Sequence, residues 1–153
     1  MKAVRLTRRE GQVVQELAEG GSLRSAAEKL GITLSTAKSY CNDAARKLGC
    51  SAVHPVLVAA AYDAQVLEIP DSEGTEVVLT DGERELLPLL IAGLSTVQMA
   101  RKTYRHINGV RHDLRGLIVA LGGETPAQAV TRAYQLGLAG PRRQTPAEPA
   151  QTV

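Results

Sequence analysis

Lys38, Ser39 and Asn42 lie within a stretch, Leu30 to Leu48, in which Ala37, Ala44 and Leu48 recur at helical spacing. On a helix these two sets occupy different faces. One is an apolar stripe that seats the helix, and the other is a polar stripe free to touch something else. The Asn carboxamide matches the N6/N7 edge of adenine, and a good bidentate contact of that kind is worth about 1–3 kcal/mol of discrimination. A helix divided in this way meets the requirement of one laid into a DNA major groove. Gly31 breaks the preceding helix and Thr33 caps the next, so Leu30 to Leu48 reads as the turn and second helix of a helix-turn-helix.

Bond-making chemistry has no comparable seat. No Ser or Cys has a base at motif spacing, and the glycines follow helix ends instead of forming a phosphate loop. The chain is therefore read as not an enzyme, with no catalytic residue and no cofactor. His54, His106 and His112 have no ligand spacing, and a metal site built from Cys41, Cys50 and His54 would need different helices to converge, so no metal is expected. Two cysteines are too few for a disulfide framework, which points to a reducing cytoplasm. Lys2, Arg5, Arg8 and Arg9 precede no apolar run, and no stretch is long enough to span a membrane. A cytoplasmic protein with no membrane partner is expected. The tyrosines Tyr40, Tyr62, Tyr104 and Tyr134 are expected to fill core or interface.

The elements that would hold the polar stripe can be read from their ends. Thr7-Arg-Arg-Glu10 is a capping box, Val13, Val14 and Leu17 give the buried face of the helix it opens, and Gly20-Gly21 end it. Ser22 caps a second helix, whose Ala26, Ala27 and Leu30 are small enough to let the recognition helix approach. A fourth helix is expected from about Ser51 to Tyr62, with Val53, Val56, Leu57 and Ala60 at core spacing. Hydrophobic residues make up 44% and charged residues 22% of the 153, ordinary values for a packed chain, and without Phe or Trp the core must be aliphatic.

The same signals return 73 residues later without a gap. Leu6-Thr7 falls on Leu79-Thr80, Glu10 on Glu83, Leu17 on Leu90, Gly20 on Gly93, Ser22 on Ser95, Ala27 on Ala100, Leu48-Gly49 on Leu121-Gly122, and Ala60 on Ala133. Thr80-x-x-Glu83 and Ser95-x-x-Gln98 are again capping boxes, and Pro126 opens the last helix. Between the copies, Glu68 to Val78 carries Pro70, Gly74 and several acids and reads as a linker. Beyond Gly140 the Pro-rich tail reads as disordered. The boundaries are then 1–67 for the first domain, 68–78 for the linker, 79–140 for the second domain and 141–153 for the tail. Charge is sorted along the chain: net +2 overall, it places Arg101, Lys102, Arg105, Arg111 and Arg115 against Asp113 alone.

Each copy resembles the LuxR/NarL/GerE-type helix-turn-helix domain. In the first, the resemblance rests on Leu6-Thr7-x-Arg9-Glu10, Leu17-Ala18-x-Gly20-x-Ser22, the Ala27 to Leu30 segment, Thr36-Ala37-Lys38, Lys47-Leu48-Gly49 and Ala60. It implies an all-α fold of two four-helix LuxR/GerE-type domains joined by a short acidic linker. The second copy departs from the pattern at Gly82, Thr103, Arg105 and Gly109. Its Pro88 lies inside the first helix, where Pro typically costs about 3 kcal/mol, so that helix is either kinked or begins after the capping box.

In this family bases are read by the Lys of the recognition-helix motif, the residue after it, and the one three further on. The resemblance thus implies Lys38, Ser39 and Asn42 in the first copy and Arg111, His112 and Arg115 in the second, where Arg would suit guanine O6/N7. Thr36 and Lys47 fall at family phosphate-contact positions and, with Arg24 on the approach to the turn, are candidate backbone clamps. Two functions are weighed. One is a sequence-specific double-stranded DNA-binding transcriptional regulator, acting as a homodimer or as a pseudo-dimer within one chain. The other is a protein-interaction module in which the second domain docks on RNA polymerase or another regulator.

Overall fold

The computed structural model describes residues 4–71 and 76–140. Among them every regular element is an α-helix: α1 (Arg8–Ala18), α2 (Leu23–Leu30), α3 (Leu34–Leu48), α4 (His54–Asp63), α5 (Asp81–Ile91), α6 (Thr96–Thr103), α7 (Ile107–Ala120) and α8 (Pro126–Gln135). The expected linker has no helix over 68–71 and 76–78, while 72–75 and the expected disordered tail, 141–153, lie outside the described residues.

Side-chain caps set most of these starts. Thr7 Oγ1 accepts from the Glu10 amide at 3.2 Å while Glu10 Oε1 accepts from the Thr7 amide at 2.9 Å. Thr80 and Glu83 repeat the exchange at 3.1 Å in both directions. Ser22, Thr33, Ser95 and Thr125 each accept from the amide three residues on. Each such cap satisfies an amide the helix cannot, worth typically about 1 kcal/mol. Helix α4 alone starts without a side-chain partner among the eight; its cap position is Val53 and Pro55 follows. It begins at His54, three residues later than expected.

The capping box at Thr80 does open α5, which rules out the later start of the two alternatives; Pro88 is inside the helix, with its ring exposed. The fourth helix also has a different phase from the one expected. Leu57, Val58, Ala59, Ala61 and Tyr62 are buried, whereas Val53 is exposed and Val56 and Ala60 are only half-buried. The cause is packing: α4 touches α1 and α3 on one side and α8 and α5 on the other, so no single stripe describes it.

The two runs of four helices have matching bounds. Helices α1 and α2 recur 73 residues later as α5 and α6, and α3 and α7 also start 73 apart, but α4 and α8 start and end 72 apart. The alignment without a gap therefore fails in the last helix, where Ala61, not Ala60, is the counterpart of Ala133. Burial agrees, since residues 57–62 and 129–134 are buried throughout except at Ala60 and Arg132.

Helix α8 packs along α4 and against α1, and α4 packs against α5. The contacts across this seam are reciprocal. Tyr62 Oη and Thr131 Oγ1 share a hydrogen bond of 3.0 Å, and Tyr134 Oη donates to Asp63 Oδ1 at 2.8 Å with the carbonyl of Ala59 at 3.4 Å; residues 59 and 62 are the counterparts of 131 and 134. The two tyrosine rings lie 5.2 Å apart, tilted by 36°. Gly20 and Gly93, at the ends of α1 and α5, have φ of 97° and 87°. A Cβ on Gly20 would come within 2.8 Å of Gln128 Oε1, and one on Gly93 within 2.6 Å of Val56 Cγ2. Residues 56 and 128 are again counterparts. The buried side chains of both runs form one continuous cluster, with Leu17 and Leu57 from the first and Leu86 and Leu117 from the second.

Candidate nucleic-acid interface

Helix α3 is seated by Ala37, Cys41, Ala44 and Ala45, all buried, against α1, α2 and α4. Three of the four are alanines, which lets the backbone sit close to its neighbours. Lys38, Ser39 and Asn42 are exposed and have no hydrogen-bond or ionic partner among the described residues. Thr36 is half-buried, its amide and hydroxyl both engaged with Thr33 Oγ1 at 3.0 and 2.9 Å. Arg24 stands exposed in the first turn of α2.

Lys47 is placed differently from a free clamp. Its Nζ lies 2.8 Å from Glu10 Oε1, and the Glu10 side chain is only 5% exposed against 40% for Lys47. Burial works to raise the Glu10 pKa, but the Lys47 ammonium and the Thr7 amide outweigh it and hold the carboxyl below its ordinary value. The ion pair ties the last turn of α3 to the start of α1. An ammonium has three protons, so Lys47 keeps donors for a phosphate as well.

Two further contacts fix the approach of the turn. Arg9 Nη1 donates to the carbonyl of Leu30 at 3.2 Å. Glu16 accepts from Ser25 Oγ at 2.7 Å and from Lys29 Nζ at 3.0 Å, binding α2 to α1. These partners are distant in sequence, and spacing alone gave no sign of them.

In the second run Arg111, His112 and Arg115 are likewise exposed, without partners among the described residues. Their surroundings differ. Arg105 is half-buried and paired with Asp113 and, at 3.4 Å, with Glu85. A Cβ on Gly82 would overlap the Asp113 carboxylate. Arg9, Ile32 and Tyr40 stand 73 residues before Gly82, Arg105 and Asp113, so the first run has a guanidinium on its first helix where the second has one in the turn, with the glycine leaving room for its acid. The departures at positions 82 and 105 thus meet at one ion pair. Thr103 spends its hydroxyl on the Met99 carbonyl at 2.8 Å.

Val97, Gly109 and Ala120 stand where Arg24, Thr36 and Lys47 stand in the first run, and none has a polar side chain. Tyr104 occupies the place of Gly31 and keeps its left-handed backbone, at φ 57° against 69°. It is 95% exposed, contrary to the expectation that the tyrosines fill core or interface, which Tyr62 and Tyr134 do and the half-buried Tyr40 does in part.

Residues 4–59 match the family model of bacterial regulatory proteins of the luxR family, GerE. They form a GerE/LuxR-type helix-turn-helix domain. The matched span contains α1 to α3, their caps and most of α4, and it holds Lys38, Ser39, Asn42, Thr36, Arg24 and Lys47 together; it ends before the second run begins. No curated protein matches the chain, and no solved structure does. The domain points to a DNA-binding transcription regulator. Among the described residues no helix is long and apolar enough to cross a membrane, and no group of three or more His, Cys, Asp or Glu is placed to hold a metal.

Proposed function

We propose that this protein is a sequence-specific, double-stranded DNA-binding transcription regulator of the cytoplasm, acting without catalysis, in which α3 enters the major groove and Lys38, Ser39 and Asn42 read base edges. The observation that carries this reading is the division of α3 into a buried alanine face and an exposed, unpartnered polar face inside a GerE/LuxR-type domain. Arg24, Thr36 and Lys47 serve as its phosphate contacts.

The second run is a divergent copy of the first. The seam between α4 and α8, reciprocal at the tyrosine pair and the two glycines, supports an intrachain pseudo-dimer in place of a homodimer. In it Arg111, His112 and Arg115 would address a second, non-identical half-site. Tethering replaces concentration-dependent pairing by a high effective concentration. Selection of bound sequences from a random DNA pool, followed by footprinting, tests this: a bipartite site shortened by Arg111→Ala with Arg115→Ala supports two readers, and a single half-site indifferent to that pair refutes the second.

The loss of all three clamp positions favours another use of the second run. In this reading α3 alone reads DNA, and the second run docks on RNA polymerase or another regulatory protein. A footprint unchanged by the paired arginine substitutions selects it.

A further inference from the structure

The surface around Tyr104 is unlike its counterpart in the first run in four respects that point the same way. Val97 replaces Arg24, Arg101 replaces Glu28, Tyr104 replaces Gly31, and Arg105 replaces Ile32. Together with Ala100 and Ile107 these residues line an open groove of about 440 Å³ between α6, the turn and the start of α7. Val97 and Tyr104 expose large apolar surface there, and Val119, further along α7, is 75% exposed where the first run has Arg46.

Nothing in the fold accounts for Tyr104. A left-handed backbone disfavours any side chain but glycine, the first run uses glycine at this point, and a side chain so exposed gains no burial in return. A strained, exposed aromatic beside a groove is the pattern of a contact residue. Cations surround it. Arg101 and Lys102 flank it on α6, and Arg111 lies one helical turn beyond Ile107; all three are exposed and unpaired among the described residues. The acids nearby are already committed, Asp113 and Glu85 both to Arg105.

We propose that this groove docks an acidic, amphipathic segment of a partner protein, with an aliphatic side chain seated between Val97, Ala100 and Ile107 under Tyr104 and its carboxylates met by Arg101, Lys102 and Arg111. An aliphatic floor favours an aliphatic side chain over a stacked base. The missing clamps at Val97, Gly109 and Ala120 remove the contacts that would orient a nucleic-acid backbone. The inference rests on the reading in which the second run docks on protein, and it names the surface and the chemistry of what fits there.

The test uses the full chain and a short fluorescein-labelled peptide with leucines four apart among glutamates, followed by fluorescence anisotropy. Tyr104→Gly and Arg101→Glu restore the residues of the first run, so both variants are expected to fold, which circular dichroism checks. Saturable binding that each variant weakens by about tenfold or more, as expected for a contact at the centre of an interface, supports the groove. A peptide that does not bind, or that binds both variants as well as the parent, overturns it. So does displacement of the peptide by a single-stranded oligonucleotide whose own binding needs Tyr104. Operator affinity is measured on the same samples. A loss of operator binding in Lys38→Ala alone concerns α3, whereas a loss in Tyr104→Gly makes this face a DNA contact and overturns the proposal.

Discussion

The seam between α4 and α8 makes the strongest quantitative demand on this structure. Tyr62 and Tyr134 are both buried, pair with each other, and reach across to Thr131 and to Ala59 and Asp63. Truncating either to alanine removes an aromatic body, a change that costs about 3–5 kcal/mol in a packed core, including about 0.5–1.5 kcal/mol from the ring pair itself. Whole domains are stable by only about 5–15 kcal/mol, so Tyr62→Ala or Tyr134→Ala should sharply lower the urea midpoint. Tyr62→Phe isolates the hydroxyl: it leaves the buried Thr131 oxygen without its partner, at about 1–2 kcal/mol. Tyr62→Phe combined with Thr131→Val should cost little more than either single change, giving a coupling of about 1 kcal/mol. Because the chain has no Trp, tyrosine fluorescence in a Tyr40→Phe, Tyr104→Phe background reports this seam while circular dichroism reports the helices. The two should follow one coincident urea transition in the parent protein. Two resolved transitions in the parent, or an alanine variant less than about 1 kcal/mol below it, would refute the view that the seam joins both runs into one cooperative unit.

Lys38→Ala and Asn42→Ala should each weaken binding to the selected operator by about tenfold to a hundredfold without moving the melting temperature, and Arg24→Ala should weaken all sequences alike and lower the salt slope by about one; gel shifts over a salt series read both. The Glu10 carboxyl is held below its unfolded value, so its contribution to stability is complete at neutral pH and is lost as pH falls through the unfolded value, about 4.3, and then the folded one. Lys47→Met should flatten that part of the stability–pH curve measured by urea titration; an unchanged acid limb means the ion pair is not its source. Gly109→Ala should stabilise by about 0.5–1 kcal/mol, since nothing lies within 4 Å of the added carbon. Gly82→Ala should destabilise, because Asp113 fills the space it needs, and a Gly82→Ala protein melting at the parental temperature would sink the view that the Asp113–Arg105 pair requires a glycine there.

What could be read in advance was local. Thr7, Ser22, Thr33, Thr80, Ser95 and Thr125 cap helices through partners within three residues, and that chemistry is visible in a string of letters. The buried face of α1 and the alanine seat of α3 follow from simple periodicity. The rest depended on partners far along the chain. The phase of α4 is set by its contacts with α8, which no spacing within residues 51–62 encodes, and the one-residue slip between 73 and 72 arises where α7 ends one residue sooner than α3. That Glu10, 37 residues earlier, holds Lys47 is invisible to spacing along α3. Gly82 and Arg105 look like decay when taken singly, and become intelligible only once Asp113 supplies the third member.

A homodimer must place the same residue on both sides of its axis, so any change at the contact is made twice and must be tolerated twice. A chain that carries both sides is released from that rule. Gln128 covers Gly20 and also donates to the Glu19 carbonyl at 3.1 Å, while its counterpart Val56 covers Gly93 with a methyl group. Thr131 meets one tyrosine with a hydroxyl, and Ala59 meets the other with its backbone. If the chain is the pseudo-dimer proposed above, each side of the seam can be adjusted alone, and the same freedom would extend to the positions of Arg24, Thr36 and Lys47, which in the second run hold a valine, a glycine and an alanine.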